Sequence, residues 1–269
     1  MTNRTNWKLA TSTCWQSPCD ALYRALADAG IHCIEYSSGN LAHFTETDFA
    51  HRSVEIVRHI EQYDIRVTSV HLPFSPFETL DPTSTDAQMR KNIVDIQGNL
   101  LRASAEAGIA IAVIHPSGEP YSAFERGERM KYAADTLAQL AQTADACGIK
   151  LAIENLPRTC LCNIHEEMQL LLHEIPSLYA CFDMNHSLRQ SNVDFIRAIG
   201  DRIITVHASD YDMIDERHLL PFLGRNNWHE IMLALEEVNY NGVFTFEVPD
   251  RGVLPTQCLT RAYNKLMEI

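Results

Sequence analysis

IAIAVIH (residues 109–115), KLAIE (150–154) and LYACFD (178–183) are short apolar runs that each end on a polar side chain. They are apolar without alternation, as expected of parallel strands that are covered on both faces. Five further runs of this kind predict five more strands, which lie at residues 8–13, 33–37, 66–71, 203–208 and 243–248. Segments of helical period separate the runs, which indicates parallel strands joined by crossover helices.

The predicted helices alternate regularly with the strands. They lie at residues 18–29, 49–63, 87–107, 123–147, 166–174, 194–199, 228–238 and 259–267. Gly30, Gly108 and Gly148 directly follow three of them, at the position where glycine ends a helix. We find no linker or shift in composition, so residues 1–269 are predicted to form a single (β/α)8 TIM barrel, with an open doubly wound sheet as the alternative.

The composition and net charge indicate which kind of molecule the protein binds. The 269 residues are 46% hydrophobic and carry a formal net charge of −13, which argues against a surface built to bind nucleic acid and favours a small-molecule substrate. The N-terminal sequence has no apolar segment of signal-peptide length, and the most apolar run is too short to cross a membrane. We therefore expect a soluble, cytoplasmic protein with no membrane partner. The eight cysteines form no CxxC pair, and we expect reduced thiols.

Potential metal ligands end six consecutive predicted strands. These residues are His71, His115, Glu154, Asp183, His207 and Glu247. In a barrel of this kind the active site is built from residues at the C-terminal ends of the strands, so the six side chains are predicted to point into one barrel mouth. A lone histidine at such a position is more often structural. Three carboxylates that converge with a histidine, however, would repel one another strongly without a cation.

The sequence therefore predicts that Glu154, Asp183, His207 and Glu247 share one divalent metal ion. The set is rich in oxygen and contains one imidazole, which suits manganese, magnesium, cobalt or zinc. The sequence does not select among these ions.

The loops after the strands carry further candidates. His186 lies three residues beyond Asp183, and Arg217 and His218 lie in the segment DERHLLP (215–221). A charge run of this kind is usually a solvated surface, but its predicted place beside the barrel mouth favours a role for Arg217 and His218. With His71 and His115, these residues are expected to bind substrate. Trp15 and Phe74 lie in loops over the same face and are candidates for an apolar wall.

These segments together resemble one family, the sugar phosphate isomerases and epimerases with a xylose-isomerase-like barrel, which includes ketose 3-epimerases and hydroxypyruvate isomerases. The resemblance extends over nearly the whole chain. It depends on the order and spacing of AIENLP (152–157), FDMNH (182–186), VHASDYD (206–212), DERHLLP and FEVP (246–249).

The resemblance implies that Glu154, Asp183, His207 and Glu247 bind the metal and that the two glutamates also act as the acid/base pair. It also implies that His186 and Arg217 contact substrate oxygens. Two segments depart from the family pattern. Cys160 stands where epimerases of the family have a substrate-binding glutamate, and FLGRNNW (222–228) replaces the usual GEG-like turn. Both departures weaken the prediction of a particular substrate.

The expected function is therefore a metal-dependent sugar or sugar-phosphate isomerase or epimerase. One glutamate would remove a proton next to a carbonyl held by the metal, and the other would return a proton to the resulting enediolate. Family members are often dimers or tetramers, so a homo-oligomer is an open expectation.

Three alternatives remain. One is an abasic-DNA endonuclease of the endonuclease IV type, whose zinc cluster would require His71, His115, His186, Glu216 and His218 as further ligands. Another is a dehydratase or aldolase on the same metal site. The third is a non-catalytic sugar binder that kept the barrel.

Overall fold

A computed structural model describes residues 7–16, 18–119, 122–249 and 255–269 of the chain. Eight parallel strands close into a barrel in sequence order. They are β1 (Leu9–Ser12), β2 (Cys33–Tyr36), β3 (Arg66–His71), β4 (Ile111–Ile114), β5 (Lys150–Glu154), β6 (Tyr179–Asp183), β7 (Ile203–Ala208) and β8 (Val243–Phe246). The barrel closes where Leu9 of β1 pairs with Phe244 of β8. All eight predicted strands are confirmed, and the closed barrel is confirmed over the open sheet.

Helices connect the strands on the outside of the barrel. They are α1 (Asp20–Asp28), α2 (Leu41–Glu46), α3 (Phe49–Glu61), α4 (Phe77–Leu80), α5 (Ala87–Glu106), α6 (Arg126–Cys147), α7 (His165–Glu174), α8 (Asn192–Ile199), α9 (Trp228–Glu237) and α10 (Gln257–Glu268). The eight predicted helices are confirmed to within a few residues. Gly148 ends α6 with a φ of 74°, a backbone conformation that favours glycine.

Two short helices, α2 and α4, were not predicted. The side chain of Asn40 caps α2 by accepting a hydrogen bond from the amide of Ala42. The helix is six residues long and buries only Phe44. The four residues of α4 bury only Leu80. With one buried side chain each, neither segment shows the repeated apolar spacing by which a helix is recognised in sequence.

The interior of the barrel places a small apolar layer under the polar strand ends. Val113, Ala152 and Cys181 come from three consecutive strands, are fully buried and pack together. Because every second residue of a strand points to the same face, Glu154 and Asp183 lie on the same side of their strands as Ala152 and Cys181. The polar residues at the mouth therefore lie directly above a layer of buried apolar side chains.

All eight cysteines are free. Among the residues that the structure describes, no helix combines the length and the apolar character needed to cross a membrane.

Candidate metal centre

The four residues predicted to bind metal lie together at the C-terminal ends of the strands. Glu154 and Asp183 are the last residues of β5 and β6, His207 lies in β7, and Glu247 directly follows β8. One ligand atom from each lies within 4.8 Å of the ligand atoms of the other three. None of the four is more than 5% exposed to solvent.

His207 is at the centre of this group. Its Nδ1 atom lies 3.1 Å from Oε1 of Glu154 and 3.2 Å from Oε2 of Glu247. The same nitrogen lies 3.8 Å from Oδ2 of Asp183. One ring nitrogen thus faces three carboxylates that come from three different strands.

Local hydrogen bonds fix the backbone around Asp183. The side-chain amide of Asn155 donates to the carbonyl oxygen of Asp183 at 2.9 Å and accepts from its amide at 2.7 Å. The amide of Asn185 donates to Oδ1 of Asp183 at 2.5 Å. The other carboxylate oxygen, Oδ2, is buried without a hydrogen-bond partner. A buried carboxylate oxygen without a partner is costly, so this atom is available to a cation.

The pKa values of the ring reflect crowded negative charge. Burial raises the pKa of Asp183 well above its usual range, and Glu247 and Glu154 act in the same direction against the opposing charge of His186. Burial alone would also raise the pKa values of Glu154 and Glu247, but His207 holds both well below their usual range. Asp183 therefore holds a proton more readily than Glu154 and Glu247. Such a difference is expected where several buried carboxylates share one nearby positive charge.

His71 and His115 lie against the opposite side of Glu154. The Nε2 atoms of the two histidines are 2.9 Å and 3.3 Å from Oε2 of Glu154. The ring of Phe74 stacks on His115 with 4.1 Å between centroids. The structure thus brings both predicted histidines to the site and places Phe74 as the expected apolar wall beside them.

His186 and His218 form a second group with Glu216 at the rim of the mouth. Their potential ligand atoms also lie within 4.8 Å of one another. Nε2 of His186 is 3.3 Å from Oε2 of Glu216. Trp15 covers His218 with 4.6 Å between ring centroids. Burial lowers the pKa of His218. For His186 the charges of Asp183 and Glu216 outweigh burial and raise the pKa to about 10.

Comparison with known proteins gives a family for this barrel. The profile of the family described as "xylose isomerase-like TIM barrel" matches residues 23–267. The chain belongs to this family.

Similar proteins include one curated epimerase and two solved structures that share the fold. A D-psicose 3-epimerase of Enterocloster bolteae is 31% identical over 131 residues, which are 46% of this chain and 41% of that protein. The structure of a D-tagatose 3-epimerase-like protein has a TM-score of 0.78 at 23% identity, covering 97% of this chain and 96% of that chain. The structure of an IolI protein with a bound zinc atom also has a TM-score of 0.78, at 15% identity over the same shares. Overall, the chain aligns with 36–69% of the length of four curated relatives.

In this xylose isomerase-like barrel the side chain of Arg217 does not reach the ring. It pairs with Asp212 at 2.7 Å and is half exposed. Its contact on the side of the site is made by the backbone amide, which donates a hydrogen bond to Oδ1 of Asn185 at 3.1 Å. A substrate contact by Arg217 therefore requires a change of side-chain conformation.

Arg158 connects two loops of the mouth. It binds Glu119 through two hydrogen bonds of 2.7 Å and 2.8 Å. It also reaches Oε1 of Glu216 at 2.9 Å. Cys160 is buried nearby, and burial together with Glu119 raises the pKa of its thiol. The position of the family's substrate-binding glutamate is thus taken by a neutral thiol.

Glu35 is a fully buried residue of the mouth that the sequence analysis missed. It lies within β2 and contacts Nε2 of His207 at 3.1 Å. Metal ligands were predicted only at strand ends, whereas Glu35 is followed by Tyr36 in the same strand. A carboxylate between apolar residues of a strand covered on both faces was the available signal.

Proposed function

We propose that this chain is a metal-dependent sugar or sugar-phosphate isomerase or epimerase. The observation that carries the proposal is the buried convergence of Glu154, Asp183, His207 and Glu247 around an Asp183 oxygen without a hydrogen-bond partner. The epimerase relative and the zinc-containing IolI neighbour support the same assignment.

The residues of the ring fit a divalent cation. Three carboxylates and one imidazole match the preferences of manganese, magnesium, cobalt and zinc. Such an ion would stabilise negative charge that develops on a substrate carbonyl oxygen and so make the neighbouring C–H bond more acidic. The crowding of negative charge in the ring is the physical reason to expect it.

Glu154 and Glu247 are proposed as the acid/base pair. They come from β5 and from the end of β8, so they approach the mouth from different sides. Because His207 holds both pKa values low, each carboxylate is ionised at neutral pH and able to accept a proton. One would remove the proton from the carbon next to the carbonyl, and the other, after taking up a proton from solvent, would donate that proton to the opposite face. Return to the same carbon inverts it, whereas return to the neighbouring carbon gives aldose–ketose isomerisation.

The histidines around the ring are proposed to bind the sugar hydroxyls. His71, His115, His186 and His218 lie at the mouth, and a sugar hydroxyl would share or replace contacts that their ring nitrogens now make with Glu154, Glu216 or backbone oxygens. Trp15 and Phe74 supply flat apolar surfaces beside them. Arg217 would join them by leaving Asp212. An array of polar groups beside aromatic faces is typical of a site for a small polyol.

Solvent isotope exchange tests the proposed function. The metal-loaded protein is incubated in heavy water with a panel of ketoses and their phosphates, and each recovered sugar is analysed for deuterium. The proposal predicts deuterium at the carbon next to the carbonyl of at least one sugar, together with an epimer or isomer of it. A sugar that binds strongly but emerges unchanged, with no deuterium, would instead support a non-catalytic binder.

Variants give the matched control for this exchange. Glu154→Gln and Glu247→Gln preserve the size of each side chain and remove its ability to accept a proton. Each variant, checked to retain metal, should lose the exchange. Exchange at the wild-type rate in both variants would refute the acid/base assignment.

A further inference from the structure

The carboxylate of Glu35 contacts Nε2 of His207, the ring nitrogen that faces away from Glu154 and Glu247. The side chain lies in β2, is fully buried, and belongs to neither the proposed ligands nor the acid/base pair. His207 Nε2 lies 3.2 Å from Oε2 of Glu35, with which it forms a hydrogen bond, and 3.1 Å from Oε1. The hydroxyl of Ser69 donates a further hydrogen bond to Oε2 at 3.0 Å. His207 therefore has carboxylates at both ring nitrogens.

A buried carboxylate at this position needs a reason. Glu35 stands between Ile34 and Tyr36 in a strand whose four residues are all buried. Transfer of an ionised carboxylate to such a site is costly unless it is paired and hydrogen-bonded. Its partners in the described part of the chain are Ser69 and His207, and both lie inside the barrel. An apolar residue at position 35 would remove both the contact with His207 and the hydrogen bond from Ser69.

The chemistry of imidazole connects this contact to the metal site. A neutral histidine carries its proton on one ring nitrogen and offers a lone pair on the other. A carboxylate that accepts from Nε2–H leaves the lone pair on Nδ1. That nitrogen is the one that lies 3.1 Å from Glu154 and 3.2 Å from Glu247.

The other histidines of the mouth are held differently. Nδ1 of His71 lies 2.9 Å from the carbonyl oxygen of Leu72, and Nδ1 of His186 lies 2.9 Å from that of Asn155. Nδ1 of His218 is 3.1 Å from the carbonyl oxygen of Glu247. Each of these three histidines has a backbone oxygen at hydrogen-bond distance from Nδ1, although Nδ1 of His186 also lies 3.4 Å from Oε1 of Glu154. In His207 the ring nitrogen that faces away from Glu154 and Glu247 forms its hydrogen bond with a carboxylate instead.

We infer that Glu35 is a positioning residue that orients His207 and fixes Nδ1 as its metal-binding nitrogen, with Ser69 holding Glu35 in place. This inference rests on the metal site of the proposed function. A carboxylate behind a ligating histidine also makes the imidazole a stronger donor, and loss of such a partner typically weakens metal binding by about 10–100-fold.

Cobalt(II) binding to the full chain tests the role of Glu35. The dissociation constant is measured by competition with a chelator, and the visible absorption of bound cobalt reports the ligand geometry. Glu35→Gln removes the charge at nearly constant volume and should weaken cobalt binding by about 10–100-fold and alter the cobalt spectrum. Ser69→Ala leaves the carboxylate but frees it to move, and should weaken binding less, in the same direction.

Trp7→Phe is the matched control. It removes another buried hydrogen bond, the 2.7 Å contact from Nε1 of Trp7 to the carbonyl of Tyr240, outside the metal site. It should lower stability without changing cobalt affinity or spectrum. This separates a role at the metal from a general loss of stability.

Each result decides the question. Wild-type affinity and spectrum in Glu35→Gln would overturn the inference about Glu35 and leave the metal site intact. If that substitution prevents folding, Ser69→Ala decides, and unchanged affinity in that variant would overturn the inference. A wild-type protein that binds no cobalt would overturn the metal site itself, and with it this inference.

Discussion

The two ends of the barrel carry charge in opposite ways. At the N-terminal ends of the strands, Lys8, Arg66 and Lys150 are exposed, and a cavity of about 1280 Å³ opens among them. At the C-terminal ends, Glu154 and Asp183 are buried with the rest of the ring. Strand β5 shows both features, since it begins at the exposed Lys150 and ends at the buried Glu154.

Burial of charged side chains, and not the presence of an open cavity, thus indicates where the chemistry lies. The N-terminal cavity is lined by none of the predicted site residues. Its charges remain hydrated and need no special partner. At the mouth, charges are buried at a cost that a bound ion or a catalytic role would explain. In barrels of this kind the C-terminal face carries function and the N-terminal face carries stability.

The largest expected effect lies at the mouth. Glu247→Gln, saturated with metal, should lower kcat by about 100-fold to 10,000-fold, as expected when a general acid or base is lost. Its free energy of unfolding should change far less than its rate. Steady-state kinetics on the sugar identified by isotope exchange, together with metal analysis of the variant, measure this. A metal-loaded variant with wild-type kcat would contradict the assignment of the chemistry to the C-terminal end of the barrel.

The reverse effect is expected at the N-terminal end. Trp7 is buried, and its ring stacks on Phe244 with 6.1 Å between centroids. Trp7→Ala should lower the free energy of unfolding by about 3–5 kcal/mol because it opens a cavity in the core. Below its melting temperature the variant should keep wild-type kcat. Denaturant unfolding and kinetics of the same preparation decide this, and a large fall in kcat of the folded variant would contradict the division between the two ends.

Metal removal should also destabilise the mouth. A ligand that binds only the folded state at 100 times its dissociation constant stabilises it by about 2.7 kcal/mol. For a chain of this size we expect the melting temperature to fall by about 5–10 °C on chelation and to recover when metal is restored. Asp183→Asn serves as the control, because its melting temperature should respond much less to added metal. An equal response in both proteins would place the ion elsewhere.

The smallest effect is expected at an exposed ion pair between helices α8 and α9. Arg197 binds Glu237 at 2.7 Å, and the contact lowers the pKa of Glu237. A lowered pKa contributes stability above the unfolded pKa of a glutamate and loses it as the pH falls through the folded value. Arg197→Ala should therefore lower the melting temperature slightly at neutral pH and not at all in acid. A difference that grows in acid would reverse the assigned sign.

The sequence predicted the fold and the convergence of the ring residues because both depend on local pattern. Apolar runs that end on Glu154, Asp183 and His207 predicted the strands and the convergence of their last residues together. Helices α2 and α4 were missed because each buries one residue. The pairing of Arg217 with Asp212 and the place of Glu35 behind His207 were missed for another reason. Both depend on distances between side chains that no periodicity records.

Metal stoichiometry tests the central claim most directly. Wild-type protein and Asp183→Asn are each dialysed against manganese, cobalt or zinc, freed of loose ions and analysed for metal per chain. The account predicts about one ion per wild-type chain and much less than one in the variant, since the variant loses a ring carboxylate. No bound ion, or an ion retained equally by the variant, would contradict the ring as the site. About three zinc ions per chain would instead favour the endonuclease-like alternative.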